Sequence, residues 1–163
     1  MMAMEWQKDE FTLSTDPSRI DIPYVHAFLS TKSYWAMGVP IGIVSASIEG
    51  SLCFGMYTAG AEGSKGVHGV VERQVGFTRV ITDKATFGYL ADVFIDEEYR
   101  GRGLSKWMME TILGHPELQG FRIWQLSTRD AHGLYEQFGF EVPADPRRIM
   151  RKNDPDVYRR KPD

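Results

Sequence analysis

The residues whose types and spacing could do chemistry stand together where a strand-like segment gives way to a helix-like one. Residues 100–105 read Arg-Gly-Arg-Gly-Leu-Ser, and Lys106 follows them. Gly101 and Gly103 allow the backbone to turn sharply and to approach a ligand closely. The first turn of a helix offers unpaired N–H groups and the positive end of the helix dipole, and the basic side chains add charge of the same sign. We expect this turn to bind a pyrophosphate.

Two other phosphate-binding patterns fit this segment less well. A P-loop needs G-x-x-x-x-G-K-[ST], which the sequence lacks. The dinucleotide fingerprint G-x-G-x-x-G would require glycine at position 106, where Lys106 stands. An isolated Gly-x-Gly can also simply turn a strand into a helix, so the pattern alone leaves that structural explanation open.

The surrounding sequence resembles a known family. The pattern [QR]-x-x-G-x-[GA] at a strand-to-helix junction is motif A of the GNAT superfamily of N-acetyltransferases. Arg100, Gly103 and Ser105 occupy its patterned positions, with serine in place of glycine or alanine. Downstream, residues 131–140 resemble the family's A-x-x-L-Y-x-x-x-G-F pattern, and Thr128 stands where relatives often have asparagine. The resemblance covers residues 75–142 well and is weak in the region before them.

The resemblance implies an acyltransferase that moves an acetyl group from acetyl-CoA to a primary amine, in the leading interpretation that of a small molecule. It implies that the strand ending at Phe94 and Ile95 splays from its neighbour near residue 126. Backbone groups there would bind pantetheine, and one N–H would polarise the thioester carbonyl. The cofactor-binding residues implied in this way are Phe94, Ile95, Arg100, Gly101, Arg102, Gly103, Leu104, Ser105 and Thr128. Tyr34 and Trp35 are candidates for the acceptor pocket, with an aromatic anchor under a loop as the alternative.

The catalytic groups are predicted on the same resemblance. Tyr135 is the candidate general acid, because a phenol with a pKa near ~10 is protonated at neutral pH and can donate to a thiolate of pKa about 8.5. Helical spacing by itself favours a packed core tyrosine instead. Relatives often carry a catalytic carboxylate at the position of Ala91, which cannot serve as a base. Its neighbour Asp92 is the candidate, and a structural hydrogen bond, or a base elsewhere that works through water, is the alternative.

The elements that must position these residues alternate between strand and helix, which predicts an α/β (α+β) fold. Strands are predicted at 11–15, 52–57, 75–81, 86–95, 121–127 and 140–142, and helices at 16–30, 40–50, 100–114 and 131–138. The strands at 75–81 and 86–95 should form an antiparallel hairpin. The chain length predicts a single domain over residues 1–163, with a loose tail at 155–163. The resemblance implies a mixed, mostly antiparallel sheet flanked by helices.

Two further segments carry no site prediction. The glycine-rich residues 59–69 are predicted to be a mobile surface loop, with a lid over an acceptor pocket as the alternative. The basic C-terminal residues 147–161 are interpreted as a solvated tail rather than a binding patch.

Composition restricts the classes of function. A formal net charge of -3 over 163 residues argues against a nucleic-acid partner. Cys53 is the only cysteine, so no intramolecular disulfide can form, and we interpret it as a core residue. The 4 histidines lack paired ligand spacing, so no metal is expected. Because there is no signal-peptide pattern and no stretch near the ~18 apolar residues of a membrane helix, we expect a cytoplasmic protein without a membrane partner.

Other functions remain compatible with the sequence. A protein acetyltransferase acting on an N-terminus or a lysine would need an open groove across the sheet. A non-catalytic acyl-CoA sensor would keep the phosphate site without a base, which Ala91 allows. The expected partners of an enzyme are acetyl-CoA and an amine acceptor. The sequence specifies neither the acceptor nor the choice between a monomer and a homodimer.

Overall fold

The computed structural model of the protein describes residues 2–65 and 71–160. Its strands are β1 (Glu5–Lys8), β2 (Phe11–Ser14), β3 (Leu52–Lys65), β4 (Val71–Thr82), β5 (Phe87–Ile95) and β6 (Ile123–Gln125), and its helices are α1 (Ile22–Thr31), α2 (Ile41–Glu49), α3 (Leu104–Leu113) and α4 (His132–Glu136). The six strands form one sheet in chain order. Neighbouring strands are antiparallel except for β5 and β6, which are parallel. The predicted mixed, mostly antiparallel sheet with flanking helices is confirmed.

Two apolar clusters cover the two faces of this sheet. Phe54 of β3 belongs to a cluster that includes Leu104 at the start of α3. The preceding residue, Cys53, belongs to a second cluster with Phe28 of α1 and Val44 of α2. Because successive strand residues point to opposite faces, α3 lies on one face of β3, and α1 and α2 lie on the other. Helices therefore hold the end of β5 from both sides.

Local signals define the two helices before β3. Asp21 accepts the Tyr24 N–H through its side chain and starts α1. Pro40 precedes α2 and Gly50 ends it, as the sequence predicted. The predicted helix over residues 16–30 is wrong in its first part, because Asp16 caps a separate 3₁₀ turn over Pro17–Arg19.

The structure differs from the sequence prediction in three other segments. β1 was not predicted, because it is an edge strand in which only Trp6 among otherwise polar residues packs against the core. Residues 59–65 of the predicted loop 59–69 extend β3, with an irregular register between Ala59 and Ser64, and residues 66–70 lie outside the described residues. Residues 140–142 form no strand, since the Phe140 N–H turns back to the Tyr135 carbonyl at 3.3 Å.

Candidate active site

β5 and β6 pair over only the first part of β5. The pairs run from Phe87 with Ile123 to Tyr89 with Gln125, whereas β5 continues to Ile95. Beyond this point a cavity of about 460 Å³ lies between residues 90–93 and residues 126–128, and we call it the central cavity. The strands diverge where the sequence analysis expected them to, and the divergence leaves one edge of β5 open.

A bulge interrupts β5 inside the central cavity. Phe77 pairs with Phe94 but Arg79 pairs with Ala91, so that Asp92 and Val93 together lie opposite a single residue of β4. Asp92 has a φ of 54°, in the left-handed region. A bulge re-aims the side chains around it. The strict alternation that would separate Asp92 from its neighbours therefore does not apply, and residues 91–93 all line the central cavity.

Asp92 is held by two donors from different elements. Arg79 Nε donates to its Oδ2 at 2.6 Å, and the indole Nε1 of Trp35 donates to its Oδ1 at 2.9 Å. The Asp92 side chain is only 9% exposed. Each oxygen thus accepts a hydrogen bond already, and the carboxylate fixes the position of the Trp35 ring beside the cavity.

The end of β5 directs one backbone N–H to its open edge. The Asp96 N–H donates to the Val75 carbonyl of β4 at 2.8 Å. Because N–H groups alternate in direction along an antiparallel ladder, the Ile95 N–H points away from β4. Phe94 instead buries its ring against Phe28, with centroids 3.7 Å apart. Of the two predicted residues at this strand end, Ile95 is the one whose N–H points to the unpaired edge of β5.

The turn before α3 has the geometry of an anion cradle. Gly101 has a φ of 77°, and Gly103, which precedes the first residue of α3, has a φ of 73°. A Cβ placed on either glycine would meet no atom within 4 Å. No side chain caps α3, and the N–H groups of residues 101–106 have no acceptor among the described residues. Unpaired N–H groups facing open space fit a phosphate group.

The side chains of the cradle anchor it to the rest of the fold. Arg100 Nε donates to the Ile95 carbonyl at 3.1 Å, which ties the turn to the end of β5. Leu104 is buried in the core, whereas Ser105 is half-buried in the first turn of α3. Arg102 forms a half-exposed ion pair with Glu10 at 3.0 Å. The Arg100 hydrogen bond therefore links the cradle to the open edge of β5.

Tyr135 of α4 lines the central cavity. Its ring is buried and lies edge-on to Phe140, with centroids 6.0 Å apart. Its hydroxyl makes no hydrogen bond with any described residue. Burial, with smaller contributions from Tyr34 and Asp130, raises the pKa of Tyr135 to about 12. The phenol is therefore protonated at neutral pH and free to donate.

Thr128 acts on the backbone of the segment that leads into α4. Its Oγ1 accepts the Ala131 N–H at 3.0 Å and the Asp130 N–H at 3.4 Å. Thr128 therefore holds the turn that precedes α4, while α4 itself has no side-chain cap. Thr128 lines the central cavity while its hydroxyl oxygen is used in this way.

Tyr34 and Trp35 join the connector between α1 and α2 to the opposite wall. Their rings meet edge to face with centroids 4.9 Å apart. The Tyr34 hydroxyl accepts the Arg129 N–H at 3.0 Å, and the Arg129 guanidinium lies 4.0 Å from the ring centroid. Both aromatic residues line the central cavity and a neighbouring cavity of about 500 Å³. The two predicted acceptor residues thus lie beside Tyr135.

The sequence analysis missed several polar residues of this site. Arg79 holds Asp92, and Tyr89, Ser127 and Arg151 line the central cavity. No local pattern marks them, because each comes from a different part of the chain. Within residues 2–65 and 71–160 the structure contains no group of three or more potential metal ligands. No helix in the same ranges is long and apolar enough to cross a membrane.

Comparison with known proteins gives a consistent result. Residues 61–142 match the model of the acetyltransferase (GNAT) domain. A candidate acetyltransferase of Gibberella zeae is 33% identical over 147 residues, which cover 83% of this chain and 82% of the relative. The solved structure of a candidate GNAT acetyltransferase from Xanthomonas campestris pv. campestris is 44% identical, with a TM-score of 0.79 over 91% of this chain and 96% of the other.

A more distant structure shares the fold alone. Glucosamine-6-phosphate N-acetyltransferase of Arabidopsis thaliana is 17% identical and has a TM-score of 0.56, covering 88% of this chain and 97% of its own. The fold and these relatives define an acyltransferase. The chain belongs to the GNAT family of acetyltransferases, whose members in general use acetyl-CoA.

Proposed function

We propose that the protein transfers the acetyl group of acetyl-CoA to the primary amine of a small molecule in the central cavity. The observation that carries this proposal is that the open part of β5, whose residues 90–93 line the central cavity together with Tyr135, connects three features. These are an open N–H edge at Ile95, an anion cradle joined to it through Arg100, and the unpaired hydroxyl of Tyr135. They correspond to the needs of a thioester, a pyrophosphate and a leaving thiolate.

In the proposed cofactor site, the backbone does most of the binding. The N–H groups of residues 101–105 would hold the pyrophosphate at the start of α3. The outward-directed Ile95 N–H would donate to the carbonyl oxygen of the thioester, where negative charge develops. Phe94 supports this edge through its stack on Phe28. Thr128 would contribute by fixing the backbone of the opposite wall through its hydroxyl oxygen rather than by binding the cofactor directly.

Bound acetyl-CoA would supply the acetyl group, so that a carbon–nitrogen bond forms to the amine as the carbon–sulfur bond breaks. Tyr135 would act as general acid and donate its proton to the departing sulfur. The proton that the nitrogen loses would restore Tyr135, so the products are an N-acetylated amine and free coenzyme A. A pKa of about 12 makes Tyr135 a weaker acid than free tyrosine. Its proton should therefore transfer late, after charge has developed on sulfur.

The contacts of Asp92 favour a positioning role over the role of base. Both carboxylate oxygens accept hydrogen bonds, one from the Arg79 guanidinium at 2.6 Å and one from the Trp35 indole at 2.9 Å. The carboxylate therefore already serves to hold two side chains in place. We therefore propose that Asp92 orients Trp35 in the acceptor pocket and that the amine enters as the neutral form or loses its proton through water.

The walls of the central cavity favour a small acceptor over a peptide. Asn153 and Tyr158 of the C-terminal segment line it together with Trp35 of the α1–α2 connector. Walls that come from separate segments of the chain support a pocket rather than an open groove for a peptide. A pocket of about 460 Å³ also falls in the range of small-ligand sites.

The proposal is tested by incubating the protein with acetyl-CoA and a panel of amines while following free thiol and product mass. We expect thiol release that depends on an acceptor amine. If coenzyme A neither binds nor raises the melting temperature, the proposed cofactor site is wrong. If it binds without turnover on any amine or peptide, the protein is a non-catalytic acyl-CoA binder instead.

A further inference from the structure

Three polar side chains in the central cavity form a connected group that acetyl transfer itself does not use. Tyr89 Oη donates to Ser127 Oγ at 3.1 Å, and Arg151 Nη2 donates to the same oxygen at 2.9 Å. All three residues line the cavity. Because the Ser127 oxygen accepts from both neighbours, the Ser127 proton remains available to an acceptor. We call Tyr89, Ser127 and Arg151 the Arg151 cluster.

The Arg151 cluster has an excess of donors and an uncompensated positive charge. A guanidinium carries five N–H donors, and its one hydrogen bond to a described residue is that to the neutral Ser127 hydroxyl. The other arginine of the cavity, Arg79, is paired with Asp92 at 2.6 Å. Asp130, also in the cavity wall, lies 3.7 Å from Arg129. Among the described side chains, no carboxylate forms an ion pair with Arg151.

Neighbouring acidic residues do not change this balance. Glu136 and Glu141 line the adjoining cavity of about 500 Å³, which Arg151 also borders. Both are exposed, and neither forms an ion pair with a residue that the structure describes. An exposed carboxylate is stabilised by water and gives Arg151 little neutralisation across solvent. Arg151 and Ser127 are exposed as well, so the Arg151 cluster is a solvent-facing set of donors with which no described carboxylate is paired.

We propose that the acceptor amine carries an anionic oxygen group, a carboxylate or a phosphate, which Arg151 binds. This inference rests on the proposed function and adds the substrate class to it. The planar guanidinium matches both kinds of anion through paired N–H donors. Arg151 and Tyr135 line the same cavity, so one small molecule can place its anion at Arg151 and its amine near Tyr135. The Arg151 cluster thereby makes the C-terminal segment part of the acceptor site.

The test compares matched acceptors in wild type and in Arg151→Gln. The probes are β-alanine for a carboxylate and O-phosphoethanolamine for a phosphate, with propylamine and ethanolamine as their neutral counterparts. We expect wild type to prefer the anionic member of at least one pair, and the pair that shows this preference identifies the anion. Arg151→Gln should raise KM for that acceptor about 10- to 100-fold, the effect of losing a hydrogen bond to a charged group. The kcat, the KM for acetyl-CoA and the KM for neutral amines should not change, because Arg151 binds ground state and transition state alike.

Arg148→Gln is the matched control, since Arg148 is an exposed arginine of the same segment that lines neither cavity. It should behave as wild type. The proposal is overturned if Arg151→Gln raises the KM for neutral and anionic amines equally, changes neither of these KM values, or raises the KM for acetyl-CoA instead. If no amine releases thiol, acetyl transfer fails, and calorimetric titration of β-alanine and O-phosphoethanolamine into both proteins replaces the kinetics. Binding to wild type that Arg151→Gln weakens would then support the anion site alone, and equal or absent binding would overturn it.

Discussion

Replacing Gly103 by alanine should have two separable effects, one on the stability of the fold and one on the affinity for the cofactor. The φ of 73° at Gly103 is left-handed, and an L-residue in that region costs roughly 1–2 kcal/mol. For a domain of this size that loss corresponds to a fall in melting temperature of about 2–8 °C. The new methyl group would touch no atom of the chain within 4 Å. The space it would enter is the space in which we place the phosphate, so cofactor affinity should fall in addition, by about tenfold or more.

Gly120→Ala provides the matched control. Gly120 has a φ of 76°, and a Cβ there would also meet nothing within 4 Å, but it lies in the loop before β6, away from the cradle. The assay is thermal unfolding with and without coenzyme A at about 100 times the wild-type Kd, where wild type and Gly120→Ala should gain about 2.7 kcal/mol. A tenfold weaker Gly103→Ala should gain only about 1.4 kcal/mol. Equal gains in the two variants would refute the cradle.

Four further predictions concern the central cavity and the core. Tyr135→Phe should lower kcat about 10²- to 10⁴-fold. Its melting temperature should change little, because the hydroxyl has no partner among the described residues. If steady-state kinetics give the variant the same kcat as wild type, Tyr135 is not the general acid. Since burial raises the pKa of Tyr135 to about 12, the phenol loses its proton only at higher pH, and the kcat of wild type should show no loss from its ionisation until the pH nears that value. Trp35→Phe keeps a ring but loses the N–H that donates to Asp92, so the KM for the acceptor should rise about tenfold while the KM for acetyl-CoA stays constant. A change in the KM for acetyl-CoA alone would contradict the place of Trp35 in the acceptor pocket. Burial raises the pKa of Cys53 to about 12, so thiol reagents should label native protein slowly and denatured protein fast, and rapid labelling of native protein would show that the second core cluster opens.

The parts of the fold that the sequence predicted are those with local signals. The start and end of α2 could be predicted because proline is common at helix starts and glycine at helix ends, and Pro40 and Gly50 are its N-cap and C-cap. The hairpin of β4 and β5 follows from two β-rich runs around a short turn. β1 escaped prediction because a polar edge strand has no apolar alternation to detect. Its pairing with β2 depends on a neighbour rather than on its own composition.

The same distinction divides the candidate site. The cradle could be predicted because both glycines and the helix start lie within a few residues of one another. Tyr135 could be singled out only with the family motif, since its ring also packs as a core residue. Arg79 and Arg151 could not be found, because they reach the central cavity from β4 and from the C-terminal segment. Such residues become visible only when the topology brings distant segments together.

The bulge in β5 explains why Asp92, the predicted base, is proposed to have a positioning role instead. In a regular strand Asp92 would face away from the residues on either side of it. The bulge gives Asp92 a left-handed φ of 54° and brings it within 2.6 Å of Arg79 and 2.9 Å of the Trp35 indole. A carboxylate held in this way has a structural task, because both of its oxygens accept hydrogen bonds from other elements of the fold. Ala91 cannot act as a base, and the carboxylate of Asp92 is already engaged. Both facts therefore favour an acceptor that arrives neutral or loses its proton through water.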